Sequence, residues 1–593
     1  MKLPLAEREF DKLKKQISNI SNIVKHSKLN SLWEHDKTLR NKIVLLKEIK
    51  VAIRKSKNNK RVIEVENTID IFEELLDEVS ERLLTDYNNK NHTNFSLEEI
   101  KERDYGSYLN SGIINVLITI YIPKIIGEKL DIILPSNPKD EYKDTRKLKR
   151  KFILHLGETN TGKTYNAMER LKSCNKGVYL APLRILALEN FEKLNKEGIS
   201  CSLLTGEEEI VKNEDTHVSC TIEKLNLDLD YEVAIIDEIQ MIGDSQRGAA
   251  WTRALLGIKC EEVHVCGAIN SKELLIKLLD DIGDQYEVKE YVRDTPLSIE
   301  EKQFKLKDIS SGDALIAFSK KRVLELAEEY SKRGIKASVI YGDLPPEVRR
   351  MQYEEFLENK NTVLITTDAI GMGVNLPIKR IVFMYLEKFD GKTIRYLRSQ
   401  EVKQIAGRAG RKGIYPIGYV ATHTNEVEFL KEMIEKHDPK VKKAILGPSE
   451  DILTIENATL REKLSLWIEK PCELDLYKKM DIKEFLLKLH SIESYKLSQE
   501  IQWKLMRIPF DPENIELLNI FLHYVDEIFI GKSTTISKPT YNIAHLQELE
   551  LYYQKINMYY SFSKTLSLVF DEAWVYRERA KVSTMINALL LNL

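Results

Sequence analysis

Phe152-Ile-Leu-His-Leu-Gly157-Glu-Thr-Asn-Thr-Gly162-Lys163-Thr164 decides the fold of this chain. Phe152–Leu156 is a short apolar run of strand length, and Tyr165–Leu171 continues as a predicted helix. Between them lies the spacing GxxxxGK[ST], in the strand–turn–helix setting that a phosphate-binding loop requires. The glycines let backbone N–H groups close on phosphate oxygens, and the helix N-terminus adds partial positive charge. On this reading Gly157, Glu158, Thr159, Asn160, Thr161 and Gly162 form the cradle. Lys163 reaches the β- and γ-phosphates, and Thr164 ligates Mg²⁺.

Outward from that loop the same texture repeats. Short β-rich runs alternate with helical stretches: Phe152–Leu156, Gly177–Pro182, Val233–Glu238 and Glu262–Ala268, then Ala314–Ser319, Lys336–Gly342, Thr362–Asp368, Arg380–Leu386 and Gly418–His423. Such alternation means βαβ units and parallel sheets. The runs fall into two blocks, with a joint near Asp294-Thr-Pro296. Residues before about 140 are helical in pattern. Phe10, Leu13, Ile17, Ile20 and Val24 recur at three- and four-residue steps, as do Val62, Val65, Ile69, Phe72, Leu76, Val79 and Leu83. Pro135-Ser-Asn-Pro138 marks a linker, followed by the basic run Arg146–Lys151. The expected domains are a helical one over 1–145, α/β blocks over 146–296 and 297–424, and a helical one over 425–593.

Two further stretches carry chemistry. Val233-Ala-Ile-Ile-Asp237-Glu238-Ile-Gln240 is an apolar strand ending in two acids. Beside a phosphate loop, Asp237 falls on the Mg²⁺ shell and Glu238 polarises an attacking water; without one, both are solvated acids at a strand end. Gln404-Ile-Ala-Gly-Arg408-Ala-Gly-Arg411 lies in the second block. Arg408 and Arg411 share a helical face and reach a γ-phosphate from the opposite side if the blocks close on one nucleotide. Otherwise they form a basic turn on RNA.

Composition sets outer limits. The chain has 593 residues, 43% of them hydrophobic and 31% charged, which supports several packed cores and excludes global disorder. Its 90 Lys+Arg against 92 Asp+Glu exclude a uniformly basic nucleic-acid coat, so a polyanion must be held by local patches or backbone donors. The six cysteines form no CxxC pair and no disulfide framework, which suits a reducing compartment. Cys260, His264 and Cys266 read as part of a buried strand. Glu7, Glu9 and Asp11 argue against a transit peptide or secretory signal, and the apolar run Ile113–Ile126 is short and broken by Pro123. The expectation is a cytoplasmic protein without membrane contact.

The order of these motifs on two α/β blocks resembles motifs I, II and VI of superfamily 2 helicases. Ala181-Pro-Leu-Arg184 resembles motif Ia, Thr205-Gly-Glu-Glu motif Ib, Ala317-Phe-Ser-Lys320 motif IV, and Thr366-Thr-Asp368-Ala-Ile-Gly371-Met-Gly373-Val-Asn375 motif V. With Tyr341-Gly-Asp-Leu-Pro-Pro346 and Trp251-Thr-Arg-Ala-Leu-Leu-Gly257, the set is similar to the RNA helicase subunit of the mitochondrial degradosome and its bacterial relatives. The likeness is dense over 150–424. At the C-terminus it rests on Leu546-Gln-Glu-Leu-Glu, Tyr553 and Met558-Tyr-Tyr. Motif II departs from DEAD and DECH by reading Asp-Glu-Ile-Gln, and no transit peptide is read at the start.

The resemblance implies two tandem RecA-like parallel-sheet domains flanked by helical domains. It implies an ATP- and Mg²⁺-dependent enzyme that unwinds RNA from 3′ to 5′, acting on single strands or 3′-tailed duplexes in RNA turnover. It assigns Lys163, Asp237, Glu238, Gln404, Arg408 and Arg411 to catalysis. Gly371 and Gly373, with Asp368, would couple the nucleotide to the strand. Arg184, Thr205, Lys320, Thr366 and Thr367 match positions that hold backbone phosphates. Arg395 and Arg398 are strand contacts or solvated. Trp467, Trp503, Trp574, Tyr552, Tyr553, Tyr559 and Tyr560 are candidates for base stacking, but the tyrosines recur at helical steps with Leu549, Ile556 and Leu566 and read as a buried helix face. The basic run Lys57–Arg61 reads as a solvated face. Two other readings stay open: a DNA or mixed-substrate translocase, and an ATP-gated RNA clamp that recruits a nuclease partner. A metabolic kinase would have no need of the second block.

Overall fold

The structure is a computed structural model that describes residues 3–55, 59–91, 93–212, 216–293, 295–371, 376–411, 413–541 and 545–592. Lys57, Asp294, Gly373 and Asn375, singled out above, lie outside the described residues. The chain divides into two compact units.

The first unit comprises residues 1–135 and 448–471 and is helical. Helices Leu3–His26, Leu29–Arg54 and Asn59–Asn91 pack through one apolar face each. Phe10, Leu13 and Val24 are buried on the first, and Leu39, Ile43, Leu46, Ile49 and Ile53 on the second. Val65, Phe72, Leu76 and Val79 are buried on the third, at the steps the sequence predicts. Residues 448–471 differ from the expected single C-terminal domain, because helix Leu460–Glu469 packs on helix Ile122–Ile133 of this unit. Its start is set by a reciprocal cap: Glu462 N donates to Thr459 Oγ1 at 3.2 Å and Thr459 N to Glu462 Oε2 at 2.8 Å. Trp467 is buried there.

The second unit comprises residues 136–447 and 472–593. Its first sheet contains β1 Lys151–Gly157, β2 Gly177–Ala181, β3 Cys201–Leu204, β4 Glu209–Ile210, β5 His217–Thr221, β6 Asp230–Ile236, β7 Lys259–Gly267 and β8 Gln285–Tyr291. The order is β4-β3-β5-β2-β6-β7-β1-β8, parallel except for the short β4. Both faces are covered. Phe152, Leu154 and Leu156 enter one core with Ile236, Val265 and Trp251, while Tyr179, Val233, Ile235 and Cys266 pack against Ala167, Met168 and Leu171 of helix Lys163–Lys172. That double burial explains the unbroken apolar runs.

The second sheet contains β9 Leu297–Ile299, β10 Asp313–Ile316, β11 Ala337–Ile340, β12 Val363–Thr366 and β13 Arg380–Phe383. A hairpin of β14 Glu387–Phe389 and β15 Ile394–Tyr396 stands apart, and β16 Gly418–Thr422 returns to the sheet. The order is β11-β12-β10-β13-β16-β9, all parallel. These are two RecA-like parallel-sheet domains joined by residues 292–296.

Past the second sheet, β17 Ala444–Leu446 pairs in parallel with β18 Tyr477–Lys479, and Ala444 and Tyr477 are buried in the core of the first sheet. Among the described residues the α-helices that follow are Lys483–Ser491, Gln499–Met506, Ile515–Val525, Leu546–Thr565 and Glu572–Leu591. Trp503, Tyr552, Tyr553, Tyr559 and Tyr560 are buried, and Trp574 meets Tyr559 edge-on at 5.4 Å. The helical spacing of these aromatics therefore marks a packed face. Among the described residues no helix is long and apolar enough to cross a membrane.

Candidate nucleotide site and strand-contact positions

The phosphate loop runs from the end of β1 to helix Lys163–Lys172. Gly157 admits no side chain, since a Cβ there would lie 2.1 Å from the carbonyl oxygen of Tyr291. Gly162 caps the helix at φ +79°, a left-handed conformation that suits glycine. Lys163 Nζ donates to the carbonyl of Gly157 at 3.0 Å and to that of Glu158. Burial holds its pKa below the ordinary lysine value, and Glu238 is the strongest opposing charge.

Asp237 and Glu238 follow directly on β6. Thr164 Oγ1 lies 3.4 Å from Asp237 Oδ1, and Tyr179 donates its hydroxyl to Asp237 Oδ2 at 2.8 Å. The main chain is pinned as well: Trp251 Nε1 donates to Asp237 O at 2.9 Å. Burial, then the neighbouring Glu238 charge, pushes the Asp237 carboxyl up to about 6. Glu238 has φ +50°, a strained conformation for a residue with a Cβ. Gln240 Nε2 donates to Glu238 Oε2, and Gln240 Oε1 accepts from Ala268 N at 3.0 Å. The glutamine therefore ties the Glu238 carboxylate to the loop after β7.

The second block faces this loop. Helix Ser399–Ala406 ends in the turn 407–411. Gln404 Nε2 lies 3.4 Å from the Gly371 carbonyl, and Arg408 donates to the same oxygen through Nε at 3.2 Å and through Nη2. Burial lowers the Arg408 pKa, with Glu238 the strongest opposing charge. Arg411 N donates to Tyr415 O at 3.1 Å. Across the gap, Asn160 Nδ2 donates to Gly410 O at 2.7 Å, and a Cβ on Gly407 would lie 2.8 Å from Thr159 Cβ. Arg293, from the linker, donates to the carbonyls of Gly407, at 2.7 Å, and Ala409. Thus the structure brings Lys163, Thr164, Asp237, Glu238, Gly371, Gln404 and Arg408 together, with the main chain of Arg411 in the adjoining turn; Gly373 lies outside the described residues. Tyr179, Gln240, Trp251 and Arg293 were not among the predicted site residues. Gln240 had a signal, as the fourth letter of Asp-Glu-Ile-Gln; Tyr179 and Arg293 had none.

The predicted strand-contact positions are engaged within the protein. Arg184 is taken up by carboxylates, donating to Glu207, to Glu347 at 2.8 Å and to Glu208 at 3.2 Å, as well as to the Tyr553 hydroxyl at 3.2 Å. Burial works against its charge, but Glu207, Tyr553, Glu347 and Glu208 outweigh burial and raise its pKa further. Thr205 is buried, its hydroxyl spent within its own loop on Glu208 O at 3.0 Å and Glu208 N at 2.9 Å. Lys320 Nζ pairs with Glu550 and sits 5.4 Å over the Tyr341 ring. Thr366 and Thr367 are buried. Helix Leu546–Thr565 supplies two of these partners, setting Glu550 on Lys320 and Tyr553 on both Arg184 and Glu347. Arg395 pairs with Glu401 at 2.9 Å, whereas Arg398 is exposed.

Comparison with known proteins agrees with this architecture. The family profile of the DEXQ-box helicase domain of Suv3 matches residues 138–291. The helicase conserved C-terminal domain matches 301–413, and the ATP-dependent RNA helicase SUV3 C-terminal domain matches 546–592. The chain is 36% identical over 479 residues to the DExH-box ATP-dependent RNA helicase DExH18, mitochondrial, of Arabidopsis thaliana, covering 77% of this chain and 61% of that protein. It is 43% identical over 320 residues to the ATP-dependent RNA helicase SUV3L, mitochondrial, of Oryza sativa subsp. japonica, covering 52% and 43%. It is 33% identical over 473 residues to the ATP-dependent RNA helicase SUPV3L1, mitochondrial, of Homo sapiens, covering 75% and 60%. The chain spans less than two thirds of the length of each. Each relative is named mitochondrial, which overturns the cytoplasmic expectation. The acids behind that expectation belong to helix Leu3–His26, where Asp11 pairs with Arg61, and carry no information on destination.

Proposed function

Because the chain belongs to the Suv3-type DEXQ-box helicases of superfamily 2, we infer that it hydrolyses ATP to translocate on RNA and unwind it from 3′ to 5′, in RNA turnover. The observation that carries this reading is the juxtaposition of the phosphate loop and the turn 407–411, with Asn160 and Gly410 2.7 Å apart. Lys163 exchanges its two carbonyl partners for β- and γ-phosphate oxygens. Glu238 takes a proton from the attacking water. Arg408 and Arg411, from the other block, stabilise charge on the transferred phosphoryl group, an effect of about 10³–10⁵ in rate for arginine fingers. Gln404 orients the water or the γ-phosphate.

The oxygen donors fit Mg²⁺. The Thr164 hydroxyl and the Asp237 carboxylate lie together, both are hard oxygen ligands, and the charge of Glu238 acts on Asp237. The cation supplies charge neutralisation for the phosphates. A carboxyl pushed up to about 6 is one that a cation would ionise.

RNA is the proposed partner. With a formal net charge of −2, grip must be local. Thr366, Thr367 and Thr205 remain candidates through their loops, and Lys320 and Arg184 by exchanging carboxylate for phosphate. The location carried over from the relatives is mitochondrial.

The test is strand displacement with 3′-tailed and 5′-tailed RNA duplexes. Displacement of the 3′-tailed duplex alone, dependent on ATP, is the expected result. Displacement of neither, with ATP turning over, would contradict unwinding and leave a clamp.

A further inference from the structure

We propose that Arg293, in the linker between the two sheets, is a positioning residue that sets how Arg408 and Arg411 reach a nucleotide on the phosphate loop; this rests on the ATP-hydrolysis reading. The linker is held at both ends. On one side, Tyr291 closes β8 with its carbonyl against Gly157, leaving no room for a Cβ. On the other, Pro296 O accepts from Gly418 N at 3.0 Å, and the Thr295 methyl lies where a Cβ on Gly410 would sit, 2.6 Å away. Arg293 sits between these anchors. Its Nη1 donates to Gly407 O at 2.7 Å and reaches Thr159 O at 3.5 Å, while its Nη2 donates to Ala409 O.

The acceptors define the role. Gly407 and Ala409 bracket Arg408 in sequence, so a fork fixed on both carbonyls immobilises the backbone on either side of that arginine. Those carbonyls also follow the C-terminus of helix Ser399–Ala406, the negative end of its dipole, where a cation is favoured. Asn160 holds the next carbonyl, that of Gly410, from the phosphate loop. Three carbonyls of one turn are thereby tied to the linker and the loop, and the reach of Arg408 and Arg411 becomes a fixed distance. A lysine at 293 would keep the charge but lose the planar fork.

The test is ATP turnover of the full chain at saturating single-stranded RNA, for wild type, Arg293→Lys and Arg293→Ala, with KM for ATP, affinity for a fluorescent ADP analogue, and thermal midpoint. The expected result is a kcat lower by about tenfold to a hundredfold in Arg293→Lys, as displacement of catalytic groups by an ångström costs. KM, ADP affinity and thermal midpoint should stay at wild-type values, and Arg293→Ala should be slower still. Wild-type kcat in Arg293→Lys would overturn the positioning role, since charge alone would suffice. A loss of kcat that tracks a fall in thermal midpoint would overturn it in favour of a structural one. No turnover by wild type itself would instead overturn the ATP-hydrolysis reading, and this inference with it.

Discussion

The Asn160 side chain, in the phosphate loop of the first sheet, donates to the main-chain carbonyl of Gly410, in the arginine-bearing turn of the second, at 2.7 Å. That bond joins residues 250 apart in sequence. It places the groups that would hold a nucleotide within reach of the groups that would stabilise its transferred phosphoryl.

Lys163→Ala and Glu238→Gln should each abolish turnover while leaving the fold intact. In the proposed mechanism Lys163 would supply charge at the phosphates and Glu238 would abstract the proton, an effect of about 10²–10⁴ in rate. Steady-state ATP hydrolysis checks this; wild-type rates in either variant would remove the site assignment.

Gln240→Ala should slow turnover less than Glu238→Gln does. The glutamine orients the Glu238 carboxylate and accepts from Ala268 N, so its removal frees the base to rotate and leaves a main-chain donor unpaired. Single-turnover kinetics should show a reduced chemical rate with unchanged nucleotide affinity. An unaltered chemical rate would show that Glu238 needs no such support.

These contrasts show what the sequence makes legible. The phosphate loop, the β6 tip and the arginine turn were readable because each is a local spacing on a predicted element. The parallel sheets were readable because burial on both faces writes unbroken apolar runs. The surroundings of Arg184 and Lys320 were not, because their partners Glu347, Tyr553 and Glu550 lie 163, 369 and 230 residues away. Nothing in a local pattern distinguishes an arginine awaiting phosphate from one caged by distant carboxylates. Arg293 escaped for the same reason: its acceptors are main-chain carbonyls, which leave no trace in residue type. Helix Leu460–Glu469 was recognisable as helix, but its membership of the first unit was not.

Tyr553→Phe should lower the thermal midpoint. The hydroxyl donates to Glu347 Oε2 at 2.7 Å and accepts from Arg184 at 3.2 Å, so its loss removes two buried bonds at a net cost of about 0.5–1.5 kcal/mol each. Glu347→Ala should cost more, because it removes a charged partner from both Arg184 and the Tyr553 hydroxyl. Thermal unfolding measures both. An effect of Glu347→Ala no larger than that of Tyr553→Phe would show that Glu207 and Glu208 suffice.

At limiting Mg²⁺, turnover should fall as pH drops through about 6, where a proton takes the place of the cation on Asp237, and saturating Mg²⁺ should move that fall to lower pH because the cation favours the ionised carboxylate. An ordinary aspartate would hold activity to about 4. The stability contribution of this group has the opposite sign. Its folded-state pKa is raised, so the native state binds the proton first, and lowering the pH from about 6 toward the ordinary aspartate value stabilises the nucleotide-free chain through this residue. A pH–rate profile flat to pH 5 at limiting Mg²⁺ would show that Asp237 keeps its charge without the cation.

The central claim is an ATPase driven by RNA, and steady-state ATP hydrolysis with matched single-stranded RNA, single-stranded DNA or no polynucleotide tests it most directly. The account predicts strong stimulation by RNA, weaker stimulation by DNA, and none of either in Glu238→Gln. Equal rates with and without RNA would contradict it.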